Sequence, residues 1–315
     1  MRPFPGEEER TAEVAKELHG LLNVAESLHN FWLTHPKDEW IQKSKLSSRV
    51  VNVAVMLDIQ ASRLFRAAIE ECRRADAYAA NILTRTLFET VLALRFLLAG
   101  EDLRIAVEQA KTKKGKAPKV DDAGKPVYCS KIPTPSMPEA LIHLLTREKR
   151  ADLFLAHAFF QDVRSSEKLT AFPGIEENVR KLQAGAAASI ASYEKEIGVE
   201  WSSILHNSHE FSGMNVETLA KLMGKPFEQW YDAIYHLQSI NVHAGGSIRN
   251  IHIKDDQKLQ AAFVSSVSEV RQVLPTSITM FFIAIDTIHE AVGYGPDVDH
   301  AYASIKRRYE AQMKT

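Results

Sequence analysis

At 315 residues and a net charge of −1, the chain has no overall positive field to draw it to nucleic acid or to an anionic membrane. Hydrophobic residues at 45% and charged residues at 25% place it among ordinary soluble globular proteins, long enough to bury a core without staples. The two cysteines, Cys72 and Cys129, make no metal or redox spacing, so a cytoplasmic protein with free thiols is expected.

The first residues, MRPFPGEEER, are acidic and lack an apolar core, so they do not read as a signal peptide. Residues 1–8 are expected to be a disordered tail. Residues 9–315 are expected to form a single helical domain, or two closely packed lobes. From Arg10 to Trp32 a helical period places Val14, Leu18, Leu21, Leu22, Ala25, Leu28, Phe31 and Trp32 on one side. His35-Pro36 ends it, because a residue before proline avoids the helical region. A second helix is predicted over about Asp38–Arg74 and a third over Ala75–Ala99, stopped by Gly100. Neither Val91–Ala99 nor Ile278–Ile285 is long enough to span a bilayer, and no membrane association is expected.

Lys111 to Pro138 breaks the pattern, with KTKKGKAPKVDDAGKPVYCSKIPTPSMP rich in Lys, Gly and Pro. It reads as a solvated surface insertion, the usual role of a charge run, and as the first segment trypsin should cut. Helices are predicted over Glu139–Thr146, Arg150–Gln161 and Ile175–Ile197. Asn215–Met223 follows as a short helix, with Asn215 as cap and Gly224 as stop. Pro226 opens the next helix. The alternation of SIRNIHIK fits either a brief strand or an extended loop. Asp255 or Asp256 is expected to cap a last long helix pair, kinked or split at Pro275 and running to about Val292, and His300–Met313 forms a terminal basic helix. With no strand–helix alternation and no repeat, the fold class is all-α, a bundle of long antiparallel helices with a loop insertion.

The stretch WYDAIYHLQSINVHAGG, Trp230 to Gly246, carries the first site signal. Tyr231, Tyr235, Gln238, Ser239 and His243 recur mostly every three or four residues, on one side of a helix with a glycine stop. Four hydrogen-bonding side chains and an imidazole are an unusual way to build a core. Asn241 and Arg249 lie close in sequence and join Tyr231, Tyr235, Gln238 and Ser239 as binding candidates. RTLFETVLALRFLL carries the second signal. Arg85 and Glu89 stand four apart on an otherwise apolar helix, where they can pair. A structural ion pair and a functional one weigh about equally at this spacing. With His243, they are the candidate catalytic residues.

Other constellations are weaker. Glu26-x-x-His29 and Asp286-x-x-His289 echo di-iron bundles, but a convincing pair of further glutamates is missing. His206, His209 and Glu210 read as surface residues. No metal and no cofactor is therefore expected. Asn215–Tyr235 has the outline of a helix-turn-helix, yet its second helix opens PFEQWYDAIY, aromatic and acidic where a DNA reader needs polar or basic residues.

RTLFETVLALRFLL, VETLAKLMGK and WYDAIYHLQSINVHAGG together resemble a bacterial all-helical family described only as a domain of unknown function, over roughly Val51–Ile288. More distantly, the chain is similar to HEPN domains, helical bundles of toxin–antitoxin and phage-defence systems. That resemblance implies a metal-independent ribonuclease with an Arg-x4–6-His pattern. His would move the proton of a ribose 2′-OH and Arg would stabilise the phosphorane. Here the position five before His243 is Gln238, so Arg85 would have to supply the charge. Arg150 and His157, in RADLFLAH, match the spacing only as a loose two-residue pattern. Two functions are carried forward. One is a helical binding or accessory protein of stress or phage defence, acting on a protein partner or on itself. The other is a diverged ribonuclease, with RNA as a partner that net charge does not favour.

Overall fold

The computed structural model describes residues 7–35, 44–100, 119–120, 126–127, 146–169, 174, 176–197, 215–236, 251–253, 259–261, 265–292 and 296–314. It is all-α, as period and capping predict. In chain order the helices are α1 (Glu7–Glu17), α2 (His19–Thr34), α3 (Ser48–Arg73), α4 (Ala77–Leu98), α5 (Arg147–Leu169), α6 (Glu176–Ile197), α7 (Val216–Met223), α8 (Lys225–Tyr231), α9 (Val267–Val292) and α10 (Pro296–Gln312). A π-helical turn, Asp232–His236, continues directly from α8. Two short antiparallel strand pairs complete the described chain. β1 (Lys119–Val120) faces β2 (Pro126–Val127), and β3 (Ile251–Ile253) faces β4 (Leu259–Ala261) with His252 opposite Gln260. Part of SIRNIHIK is thus a strand, β3.

Several boundaries differ from the sequence reading. α1 begins at Glu7, and the first predicted helix is interrupted at Leu18, although its amide still bonds the Val14 carbonyl. α3 starts at Ser48 rather than near Asp38, because Ser47 supplies the N-terminal acceptors: its carbonyl takes the Val51 amide and its hydroxyl the Val50 amide. Asp76 does the same for α4, accepting the Ala79 amide at 2.9 Å. α9 runs through Pro275 as one helix rather than splitting there. The Pro275 carbonyl accepts the Tyr309 hydroxyl at 3.0 Å, a contact between α9 and α10. Asn215 caps α7 as predicted, its side chain accepting the Thr218 amide at 2.8 Å, and Gly224 stops the helix with φ 94°. All but the last residue of the predicted Glu139–Thr146 helix, all of the Lys111–Pro138 insertion but its two strands, and the expected caps Asp255 and Asp256 lie outside the described residues.

The chain divides into two compact units, Met1–Leu46 with Val55–Arg95 and Gln229–Thr315, and Ser47–Ala54 with Phe96–Glu228. The first unit is organised on α9, whose Val270, Leu274, Ile278, Phe281 and Ile285 are buried. Phe281 stacks on Phe65 of α3 at 4.3 Å between ring centres. Ser277 meets Thr84 of α4 through a buried hydroxyl pair at 2.6 Å. α2 packs on α9 and α10, with Trp32 fully buried. The second unit centres on α5 packed against α6, burying Ala151, Leu153, Ala156, Val179, Ala186 and Ile190. Arg49 of α3 closes an ion pair with Asp152 at 2.7 Å.

Candidate functional site

Arg85 and Glu89 stand on the part of α4 that belongs to the first unit. Thr84, Thr86 and Thr90 each turn their hydroxyls back onto the carbonyl four residues earlier, which satisfies them inside an otherwise apolar helix. Leu87 and Phe88 point into the core at 0% exposure. Arg85 and Glu89 lie at its margin, each side chain 32% exposed, with Nε 3.3 Å from Oε1. The pair expected from the i, i+4 spacing is therefore present, but it is half-buried rather than enclosed.

The second half of the site comes from the end of α8. Tyr231 is the last α-helical residue and Tyr235 sits in the π-helical turn. Such turns widen the helix by one residue and recur at functional sites. Their rings stack at 4.5 Å. The Tyr235 hydroxyl donates to Glu89 Oε1, the same oxygen that Arg85 Nε reaches. The Arg85 guanidinium lies over the Tyr235 ring, 4.1 Å from its centre, and Phe88 meets that ring edge-on at 6.4 Å. One carboxylate oxygen and one ring face thus fix both Arg85 and Tyr235.

These contacts set the charges. Burial pushes the Tyr235 phenol above its ordinary pKa, and the Glu89 carboxylate pushes it the same way, while Arg85 opposes them only in part. Burial alone would lower the Arg85 pKa, but Tyr235 and Glu89 outweigh it and raise it. At neutral pH the phenol is protonated and the guanidinium charged, balanced by the carboxylate. The three side chains are tied together through one oxygen of Glu89. The set presents stacked tyrosine rings, and it holds neither a free base nor a spare cation.

Arg85, Glu89, Tyr231 and Tyr235 are thus brought together by the structure. His243, Gln238, Ser239, Asn241 and Arg249 lie outside the described residues, as do His206, His209 and Glu210. The di-iron echo resolves into unrelated contacts. Glu26 pairs with Arg73, His29 meets Ser62 at 3.3 Å, and Asp286 accepts from Tyr302 at 2.8 Å and from Lys306 at 3.1 Å. Among the described residues no group of three or more His, Cys, Asp or Glu is placed to hold a metal ion. Nor is any of their helices long and apolar enough to cross a membrane. His157 takes up Gln161 at 2.9 Å, one turn further along α5.

Two features had no clear signal in the sequence. His289 packs between Trp32 and Tyr302, and burial, together with His35 and Lys306, pushes its pKa down to about 4 against the pull of Asp286. Arg150 is 2% exposed at the start of α5. An arginine in the first turn of a helix ordinarily reads as a solvated end, and only packing reveals its burial.

The chain is similar, over residues 140–259, to a family of unknown function (DUF5677). That stretch contains VETLAKLMGK and WYDAIYHLQSINVHAGG and leaves the Arg85–Glu89 helix outside it. No curated protein and no solved structure matches the chain. What the comparisons supply is likeness to a family of unknown function, on the Tyr231 and Tyr235 side of the site.

Proposed function

We propose that this protein is a non-catalytic helical binding module, an accessory component that docks a protein partner or a second copy of itself. The carrying observation is that Arg85 is already committed: Glu89 neutralises it and the Tyr235 ring covers it. A ribonuclease would need that charge free to meet a phosphorane, and breaking the pair would strand a half-buried carboxylate. What α4 offers on the same stripe is apolar. Tyr78 and Ile82, at 40% and 39% exposure, precede Arg85 and Glu89 at helical spacing. Exposed aromatic and aliphatic side chains beside a satisfied polar set resemble the centre and rim of a protein interface. A setting in stress or phage defence rests on the distant HEPN resemblance alone.

The test is an RNA digest with the purified chain in EDTA, alongside sedimentation over a concentration series. No cleavage is expected, with self-association or partner capture weakened by Ile82→Glu. Metal-independent cleavage leaving 2′,3′-cyclic phosphate ends, abolished by His243→Ala at unchanged melting temperature, would overturn the proposal in favour of the diverged ribonuclease.

A further inference from the structure

α5 begins with two arginines one turn apart, Arg147 and Arg150, behind Thr146, whose hydroxyl accepts the Lys149 amide at 3.3 Å. Side chains on a helix lean toward its N-terminus, so both guanidiniums return to the first turn. Both converge on the backbone that leaves α4. Arg147 Nε donates to the Leu98 carbonyl at 3.0 Å, and Arg150 Nη2 donates to the Ala99 carbonyl. Gly100 lies beside them, where a Cβ would come 3.3 Å from Arg147 Nη2, a tight contact.

The carbonyls satisfy only part of Arg150. Its Nε and Nη1 are closed off from solvent, and no described residue offers either of them an acceptor. The ring of Phe96 lies 5.6 Å from its guanidinium carbon, which adds apolar surface and no acceptor. Neither arginine pairs with a described carboxylate, and Arg147 repels Arg150 where Glu148 attracts it only weakly by comparison. A buried guanidinium with two idle nitrogens is costly unless an anion accompanies it. The local charge is two cations and the positive end of the α5 dipole, set against the single carboxylate of Glu148, and free amides at a helix start suit an oxyanion.

We propose that the start of α5 is a binding site for a phosphate group, a compact tetrahedral dianion held by Arg150 Nε and Nη1, by Arg147 and by the first amides of α5. A dianion matches the two arginines in charge, and several oxygens are needed to satisfy donors that point in different directions. The site belongs to the second unit and uses none of the residues of the Arg85–Tyr235 set.

The experiment is thermal melting of the full chain in phosphate-free buffer, titrated at constant ionic strength with inorganic phosphate, glycerol phosphate, acetate or chloride. Phosphate should raise the melting temperature along a saturating curve, by about 3 °C or more once it exceeds its dissociation constant manyfold. Inorganic phosphate acting alone assigns the site to the free ion, and glycerol phosphate acting as well assigns it to phosphomonoesters. Arg150→Met should fold, because it removes an uncompensated charge at similar volume, and should lose the phosphate response. Should that variant fail to fold, Arg147→Gln, at a half-buried position, should fold and shift the curve to at least tenfold higher phosphate. Absence of a phosphate effect on the wild type, an equal effect of acetate or chloride, or a full response in either variant would overturn the site.

Discussion

The hydroxyl of Tyr235 donates to the carboxylate of Glu89 across 146 positions of sequence, and the Arg85 guanidinium closes the same group from above the tyrosine ring. The bond joins the π-helical turn after α8 to the middle of α4 within one unit. It makes the polar edge of α4 a shared structure, not the property of one helix.

The first prediction concerns Arg85. Its ion pair is half-buried, and such pairs contribute about 1 kcal/mol, with roughly as much again from the cation–π contact. Arg85→Ala should therefore lower the melting temperature by only a few degrees. A loss of roughly 3–5 kcal/mol, the cost of breaking an enclosed pair, would show that Glu89 is effectively buried.

Tyr235 predicts alkaline behaviour. Its folded pKa lies above the unfolded value near 10, so the folded state holds its proton more tightly. Its contribution is fully present below pH 10 and is lost as pH rises through the folded value. Tyr235→Phe should melt with a shallower loss of stability above pH 10 than the wild type. Parallel curves for the two proteins would count against the hydrogen bond to Glu89.

His289 predicts the opposite end of the scale. Its pKa falls from 6.5 to about 4 in the fold, so the unfolded chain binds the proton more readily between those values. Stability tied to this residue is present above pH 6.5 and is lost as pH falls toward 4. The imidazole proton resonances of His289 should stay at their neutral positions down to about pH 4. A midpoint near 6.5 would mean that the ring is solvated.

Trp32 and Asp58 are 0% and 1% exposed, and the indole N–H donates to Oδ1 at 2.6 Å. Asp58→Ala should cost roughly 2–3 kcal/mol by leaving that donor buried without its carboxylate. Urea unfolding measures this directly, and a change under about 0.5 kcal/mol would show that water reaches the indole.

Cys72 is fully buried, and desolvation, with Glu71 and Asp76 adding to it, pushes its thiol up to about 12. In a Cys129→Ser background the folded chain should resist thiol reagents at pH 8 and react promptly in denaturant. Fast labelling of the folded chain would place Cys72 at an accessible surface.

The sequence by itself determined the local matters. Asn215 and Gly224 bracket α7 because a cap and a left-handed stop are written in single residues. The 3.6-residue period over Arg10–Trp32 marked a side of α1 and α2 that the structure buries, except at Phe31, which is half-buried. The Arg85–Glu89 pair follows from spacing of four on one helix. Tertiary structure decided whatever depends on distant segments meeting. Nothing in WYDAIYHLQS indicates that α-helix gives way to a π-helical turn at Asp232, or that Tyr235 reaches Glu89. Pro275 reads as a kink or a split, yet α9 passes through it as one helix, with Tyr309 of α10 donating to its carbonyl. Arg150 reads only as half of a loose Arg–His spacing, and its burial beside the Ala99 carbonyl is decided by packing. Hydrogen-bond partners far apart in sequence are chosen by packing, and periodicity, a property of one helix at a time, carries no information about them.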